Sequence, residues 1–85
     1  MPQQLFTALI HTPLIRVFLY MLTVLQRHGY KATVPRKTIS RWLSKRKGIF
    51  AVSEIVNALP RIDKVSVYRT VELLVQLDLI HPVFT

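Results

Sequence analysis

The residues whose types and spacing suggest chemistry lie in the stretch RIDKVSVYRTVELL, residues 61–74. Asp63 is a good N-cap for a helix that begins there, since its carboxylate can accept a hydrogen bond from a backbone N–H two or three residues on. The polar side chains of the first two turns are Lys64, Ser66, Tyr68 and Arg69. The helix macrodipole favours negative charge at an N-terminus, yet two cations stand here. This arrangement predicts an anionic ligand, which the helix N-terminus would also attract.

The elements that must position these side chains are two helices joined by a short turn. Helix 63–78 carries an apolar stripe for burial, and a shorter helix over 52–59 ends before Pro60, because the residue before proline is pushed out of the α region. A turn over 60–63 links them. Two such helices, the second with a polar outer face in its N-terminal half, are typical of a helix-turn-helix. In that motif an arginine can contact guanine, and a tyrosine can contact thymine methyl groups or phosphates.

The charge of the chain fits an anionic partner. The 85 residues contain 12 Lys and Arg against 4 Asp and Glu, for a formal net charge of +8. Eleven of the basic side chains lie in residues 27–69, so the charge belongs to the middle of the chain. Such a balance indicates nucleic acid or an anionic membrane surface as partner. The sequence has no cysteine, which excludes disulfides and thiolate metal sites.

The rest of the chain divides into further helices with short connections. The predicted helices span 4–11, 14–28 and 34–47. Thr33 is the expected N-cap of the last of these, and Gly29 and Gly48 have the positions of helix-ending glycines. The final six residues, IHPVFT, are expected to be extended. The predicted fold class is mainly α, a winged helix-turn-helix of about four to five short helices with a minimal or incomplete β wing.

Two stretches together resemble the DNA-binding domain of the ferric uptake regulator family. SEIVNALPRIDKVSVYRTVELLVQLDLI, residues 53–80, is similar to the family's helix-turn-helix, with Ser66-Val67-Tyr68-Arg69-Thr70 in place of Thr-Val-Tyr-Arg-Thr. RHGYKATVPRKTI, residues 27–39, is similar to the family's Gly-x-Arg/Lys-x-Thr-x-x-Arg opening. The match covers about residues 18–83.

The resemblance implies a winged-helix fold that docks as a dimer on AT-rich operator DNA, usually as a metal-responsive repressor. It maps Tyr68 and Arg69 onto the tyrosine and arginine of the family's recognition helix. It maps Lys31 and Arg36 onto basic positions near the DNA backbone. The phosphate contacts expected in this chain are Lys31, Arg36, Lys37 and Arg41.

The chain departs from the family pattern at several points. It stops at Thr85, so we expect a domain truncated before the family's C-terminal dimerisation and metal-sensing domain, with a wing that lacks its second strand. Ile49 stands at the position of a family histidine, and Ala51 at that of a helix-capping serine. Asp78 replaces the glycine that ends the recognition helix, and aspartate adopts the left-handed conformation at a higher cost than glycine.

No constellation of residues predicts catalysis or a metal site. His11, His28 and His81 are scattered through the sequence without carboxylates at ligand spacing. The sequence also lacks a recognisable nucleophile–base pair and a glycine-rich phosphate loop. We therefore expect a protein that is not an enzyme and that holds no metal and no cofactor.

Residues 1–17 are predicted to be an apolar N-terminal extension to a DNA-binding domain over 18–85. Surplus apolar surface in so short a chain suggests a homodimer contact through the N-terminal helices. The side chains concerned are Phe6, Leu9, Ile10, Leu14 and Phe18. Residues 5–25 have roughly the length of a membrane span, but Pro13 and Arg16 interrupt them, so we expect no membrane partner.

The function predicted from the sequence is that of a cytoplasmic, repressor-like transcriptional regulator. It would read AT-rich double-stranded DNA in the major groove through helix 63–78. Two alternatives stay open, a protein-association module and a membrane-surface module. In both, the helix-turn-helix is only structural and DNA binding is non-specific, driven by charge.

Overall fold

The computed structural model describes residues 5–8, 14–46 and 48–83 as four helices and a small sheet. The helices are α1 (Leu14–Arg27), α2 (Val34–Lys45), α3 (Val52–Ala58) and α4 (Lys64–Gln76). The strands are β1 (Leu5–Ala8), β2 (Ile49–Ala51) and β3 (Ile80–Val83). The prediction of a mainly α, winged helix-turn-helix fold is confirmed. No helix within the described ranges is long and apolar enough to cross a membrane.

The sheet has the order β2-β1-β3, with β1 paired antiparallel to both neighbours. Phe6 lies opposite Phe50 of β2 and opposite Pro82 of β3. The prediction of a helix over 4–11 is therefore wrong for residues 5–8. A short apolar run is too short for its periodicity to distinguish a helix from a strand. Here the backbone N–H and C=O groups of residues 5–8 pair with two neighbouring strands, which favours the extended conformation. Residues 4 and 9–11 lie outside the described part of the chain.

The wing is completed from the opposite end of the chain. β3 confirms the extended segment predicted near the C-terminus, but the strand that the sequence left missing is β1. It pairs with β3 from Leu5 opposite Val83 to Ala8 opposite Ile80. β3 is an edge strand of the described sheet, which suits Pro82 because proline has no backbone N–H to donate.

Phe6 connects the sheet to the hydrophobic core. Its side chain is 5% exposed and stacks on Phe50, with the two ring centroids 5.8 Å apart. Trp42 of α2 packs edge-on against the same Phe50 ring at 5.9 Å. The three rings thus join β1 and β2 to α2.

This burial changes the predicted homodimer surface. Phe6 is covered by its own chain, so it is not available for contact with a second copy. Phe18 is half-buried on α1. Leu9, Ile10 and the side chain of Leu14 lie outside what the structure describes.

Each helix buries one face in a shared core. Its deepest apolar side chains are Met21 and Leu25 of α1, Ile39 and Leu43 of α2, Ile55 of α3, and Val67 and Leu74 of α4. α4 packs against α2, α3 and β3 with its buried face. The opposite face of α4 is left exposed, as the periodicity of its apolar residues predicts.

α1 and α4 end in the same way, although their last residues differ in type. Gly29 has φ +83°, and Asp78 has φ +64°. The N–H of the following residue, Tyr30 or Leu79, donates to a carbonyl five residues earlier at 2.9 Å. This is the Schellman motif, which needs a left-handed residue at its centre. Aspartate therefore adopts the conformation for which the ferric uptake regulator pattern has glycine.

The start of α3 replaces the missing serine cap with a carboxylate. Ala51 is the N-cap residue and has no side-chain oxygen to offer. Glu54 compensates in part, since its Oε2 accepts the Ala51 N–H at 2.7 Å. Its Oε1 lies 2.7 Å from Nη2 of Arg46, which follows α2. One carboxylate therefore joins the end of α2 to the start of α3.

Phe6→Ala should lower the free energy of unfolding by about 3 kcal/mol or more, because truncation loses apolar burial and leaves a cavity. Leu19→Ala is the control, since Leu19 is 53% exposed on α1. It should change the free energy by less than about 0.5 kcal/mol. Urea unfolding followed by circular dichroism measures both. Equally small losses would show that β1 does not pack on the core.

Asp78→Gly should raise the free energy of unfolding by roughly 0.5–1 kcal/mol, because glycine adopts positive φ without steric cost. Gly29→Ala tests the reverse in the same motif and should lower it by a similar amount. The Cβ of an alanine at position 29 would meet nothing within 4 Å, so the loss of stability would come from the positive φ of the backbone alone. Thermal unfolding measures both variants. A loss of stability in Asp78→Gly would assign the turn's stability to the aspartate side chain instead.

Candidate nucleic-acid interface

The helix-turn-helix is formed by α3, residues 59–63 and α4. Hydrogen bonds shape the turn, since the Leu59 N–H donates to the Ile55 carbonyl at 2.9 Å and the Ile62 N–H donates to the Leu59 carbonyl at 3.1 Å. The buried face of α4 carries Val67, Thr70, Val71, Leu73 and Leu74. These side chains fix the helix against α2 and α3 and leave its outer face free.

α4 begins at a well-formed N-cap, as predicted. Oδ2 of Asp63 accepts the Ser66 backbone N–H at 3.0 Å, and Oδ1 accepts the Ser66 hydroxyl at 2.6 Å. These hydrogen bonds, the hydroxyl first, hold the pKa of Asp63 below its ordinary value of 3.8, and the charge of Arg69 adds to the effect. The first turn of α4 is therefore ordered by one aspartate and one serine.

Ser66 lies in this cap and not among the most exposed side chains. The sequence placed it with the DNA-contacting residues, but its hydroxyl proton is donated to Asp63. Its side chain is half-buried. The geometry gives Ser66 a part in positioning the helix start.

The outer face of α4 carries the other predicted side chains. Lys64, Tyr68 and Arg69 are exposed, Tyr68 by 40%. Among the residues that the structure describes, neither Lys64 nor Arg69 forms an ion pair. Both cations are thus available to an anionic ligand, and Lys64 lies in the first turn, where the macrodipole is positive.

Val65 is the residue on this face that sequence reasoning missed. Its side chain is 56% exposed, although valine is apolar. It precedes Tyr68 by three residues and Arg69 by four, which places the three on one side of the helix. The signal was present in the sequence, because Val65 falls off the apolar stripe that contains Val67 and Val71.

Three of the predicted phosphate-binding cations lie at or next to the start of α2. Arg36 donates from Nη1 to the Lys31 carbonyl at 2.9 Å, and its guanidinium lies 5.6 Å from the Tyr30 ring centroid. Thr33 is the N-cap as predicted, accepting the Arg36 N–H at 3.4 Å. Lys31 and Lys37 are exposed beside them. The structure therefore forms a basic cluster of Lys31, Arg36 and Lys37.

Arg41, the fourth predicted phosphate contact, leans toward α1. Its guanidinium lies 5.1 Å from the ring centroid of Phe18. The side chain is exposed. Arg41 thus extends the basic surface of α2 away from the cluster at the helix start.

A groove brings the start of α2 and the start of α4 to one side of the protein. Its cavity of about 500 Å³ is lined by Val34, Pro35 and Thr38 of α2 and by residues 58–63. Asp63, the N-cap of α4, belongs to that second wall. Neither helix has an acidic residue in its first turn. The groove is lined mostly by apolar residues and by the Asp63 carboxylate, so it places the two helix starts side by side without itself forming a site for an anion.

Within the described ranges, no three His, Asp or Glu side chains lie close enough together to hold a metal ion. Asp78 and His81 do approach each other, with Oδ1 and Nδ1 3.8 Å apart. Ile49, at the position of a family histidine, is exposed on β2.

The lowered pKa of Asp63 predicts how stability depends on pH. A carboxyl group whose pKa falls on folding stabilises the fold above its unfolded pKa, 3.8, and loses that contribution as the pH drops through the lower folded value. Asp63→Asn should be less stable than the wild-type protein at neutral pH. The difference should shrink as the pH falls below 3.8, as measured by thermal unfolding across a pH series that starts at neutral pH.

Ser66→Ala is the matching test of the cause. Without the serine hydroxyl, the pKa of Asp63 should rise toward 3.8. NMR titration of the Asp63 carboxyl carbon in the two proteins measures this change. An unchanged pKa would show that the hydroxyl does not stabilise the carboxylate.

Comparison with protein-family models, curated proteins and solved structures finds no match for the chain. The resemblance to the ferric uptake regulator family stays a prediction, carried by residues 27–39 and 53–80.

Proposed function

We propose that the chain is a DNA-binding transcriptional regulator that reads duplex DNA in the major groove through α4. The observation that carries this proposal is the exposed first half of α4, where Lys64, Tyr68 and Arg69 stand beside a capped N-terminus. The major groove of B-DNA admits an α-helix, and its base edges offer acceptors to arginine and methyl groups to tyrosine. The cap at Asp63 would hold the first turn fixed while these side chains make contact.

Phosphate contacts would come from the basic cluster on α2. Arg36 is held by the Lys31 carbonyl and by the Tyr30 ring, so it would lose little conformational freedom on binding. Arg41 would extend the contact along α2. The net charge of +8 supports the same partner, because neutralised phosphates release counterions.

The proposal also includes an AT-rich operator, a repressor-like role, a cytoplasmic location and a homodimer. One recognition helix reads only a few base pairs, so a second copy on a neighbouring half-site would add affinity and specificity. α1 leaves Leu19 and Tyr20 exposed, and we place the contact between copies on that face.

The same exposed face favours a second candidate function. A protein-association module would use Leu19 and Tyr20 of α1 to bind a different partner. Its DNA binding would then come from charge alone. Such binding has no sequence preference and falls steeply with salt.

Fluorescence anisotropy with a labelled AT-rich palindromic duplex and a scrambled duplex, across a salt series, separates the two functions. We expect the palindromic duplex to be preferred about tenfold or more, and the preference to persist near physiological salt. Equal affinities that fade together with salt would overturn the proposed reading of base sequence.

Two variants in the same assay separate base contacts from phosphate contacts. Tyr68→Ala should weaken binding to the preferred duplex more than to the scrambled one. Arg36→Ala should weaken both alike and reduce the salt slope by about one. Arg27→Ala is the control, since Arg27 is an exposed cation at the end of α1, outside the proposed interface. Equal losses on both duplexes for Tyr68→Ala would contradict base reading.

A further inference from the structure

We infer that Val65 and Tyr68 form an apolar contact surface for the 5-methyl groups of thymine, with Val65 as a specificity-determining residue. The inference rests on the proposed binding of duplex DNA through α4. It assigns to the site a chemical preference, for a methyl group in the major groove, that charge and hydrogen bonding alone would not give.

The packing of the chain leaves Val65 exposed. The core takes Val67, Val71 and Leu74 from α4, whereas Val65 is 56% exposed on the other side. Its partner on that face, Tyr68, is three residues on and exposes its ring as well. An apolar pair is thus presented to solvent between the cations Lys64 and Arg69.

The polar groups of the first turn are engaged in the cap or are charged. Val65 and Tyr68 are therefore the main uncharged side chains available for contact with a base. Ser66 donates its hydroxyl proton to Asp63, and both oxygens of Asp63 are engaged in the cap. Lys64 and Arg69 are suited to phosphate oxygens and to guanine. The thymine methyl is an apolar group on the major-groove edge of the bases, and apolar side chains are its usual contacts.

Val65 is also held in a fixed position. It lies in the first turn of α4, whose backbone is tied by the Asp63 cap at Ser66. A valine in a helix has one strongly preferred side-chain rotamer because it is branched at Cβ. Its two methyl groups therefore point in set directions before any ligand arrives, and little freedom is lost on contact.

Selection of binding sites from two random-sequence duplex pools tests the inference without a known operator. One pool is synthesised with thymidine, and the other with deoxyuridine, which lacks only the methyl group. The 85-residue chain should enrich a motif with defined thymine positions from the first pool and lose the preference at some of those positions in the second. If neither pool yields a motif, the proposed function fails and this inference fails with it. If both yield the same motif, bound equally well, base reading stands and methyl reading is wrong.

Dissociation constants on the selected duplex then measure the size of the effect. Replacing one contacted thymine by uracil should weaken binding about fourfold, since burying one methyl-sized group contributes about 0.8 kcal/mol. Uracil at positions outside the motif should leave the dissociation constant unchanged. Fourfold losses at every thymine, inside and outside the motif, would contradict a local contact.

The Val65→Ser variant tests whether the difference in affinity between thymine and uracil duplexes comes from Val65. Serine and valine have similar helix propensities, so the helix should be retained, and circular dichroism checks this. The variant should bind the thymine and uracil duplexes at those positions with nearly equal affinity. Ile49→Ser, at a similarly exposed apolar residue of β2, should keep the fourfold difference. Full discrimination in Val65→Ser would overturn the role of Val65.

Discussion

The antiparallel pairing of β1 with both β2 and β3 is the interaction on which the rest of the structure depends. β2 and β3 come from different ends of the helix-turn-helix, and in the described sheet each is bonded only to β1. Phe6 of β1 is stacked on Phe50, which in turn meets Trp42 of α2. The strand thus joins the two ends of the helix-turn-helix and connects them to the helix that carries the basic cluster. A domain of this size buries a smaller fraction of its surface than a larger one, so the burial of Phe6 is a substantial part of its core.

The candidate interface follows from that scaffold in two steps. α2 and α4 each begin at a side-chain cap, Thr33 and Asp63, and the two helix starts line one groove. The caps fix the backbone of each first turn and leave the cations around them free of acidic partners in those turns. The surface is positive because exposed lysines and arginines lie near both helix starts, although the N-cap of α4 is itself the Asp63 carboxylate. We regard this combination as the physical basis of the proposed binding of DNA.

Sequence reasoning found the features that depend on local chemistry. The helix-turn-helix, the caps at Thr33 and Asp63, and the helix-ending Gly29 are set by residues close together in the chain. It missed β1, because a four-residue strand gains its form from partners some 40 and 75 residues away in the sequence, which no local period records. It also missed Val65, whose significance depends on which side of α4 the core covers. The left-handed conformation that the family pattern implies at Asp78 is present, with φ +64°.

The most direct test of the account is an NMR titration that follows the backbone amides of the labelled protein as duplex DNA is added at near-physiological salt. The account predicts that the largest shifts fall on residues 64–69 and 31–37, the starts of α4 and α2, and that shifts on the exposed face of α1, where two copies would meet, are smaller. Shifts concentrated on α1, or spread evenly over all exposed cations, would contradict it. In that case the helix-turn-helix would be a structural element, and binding would be a matter of charge alone.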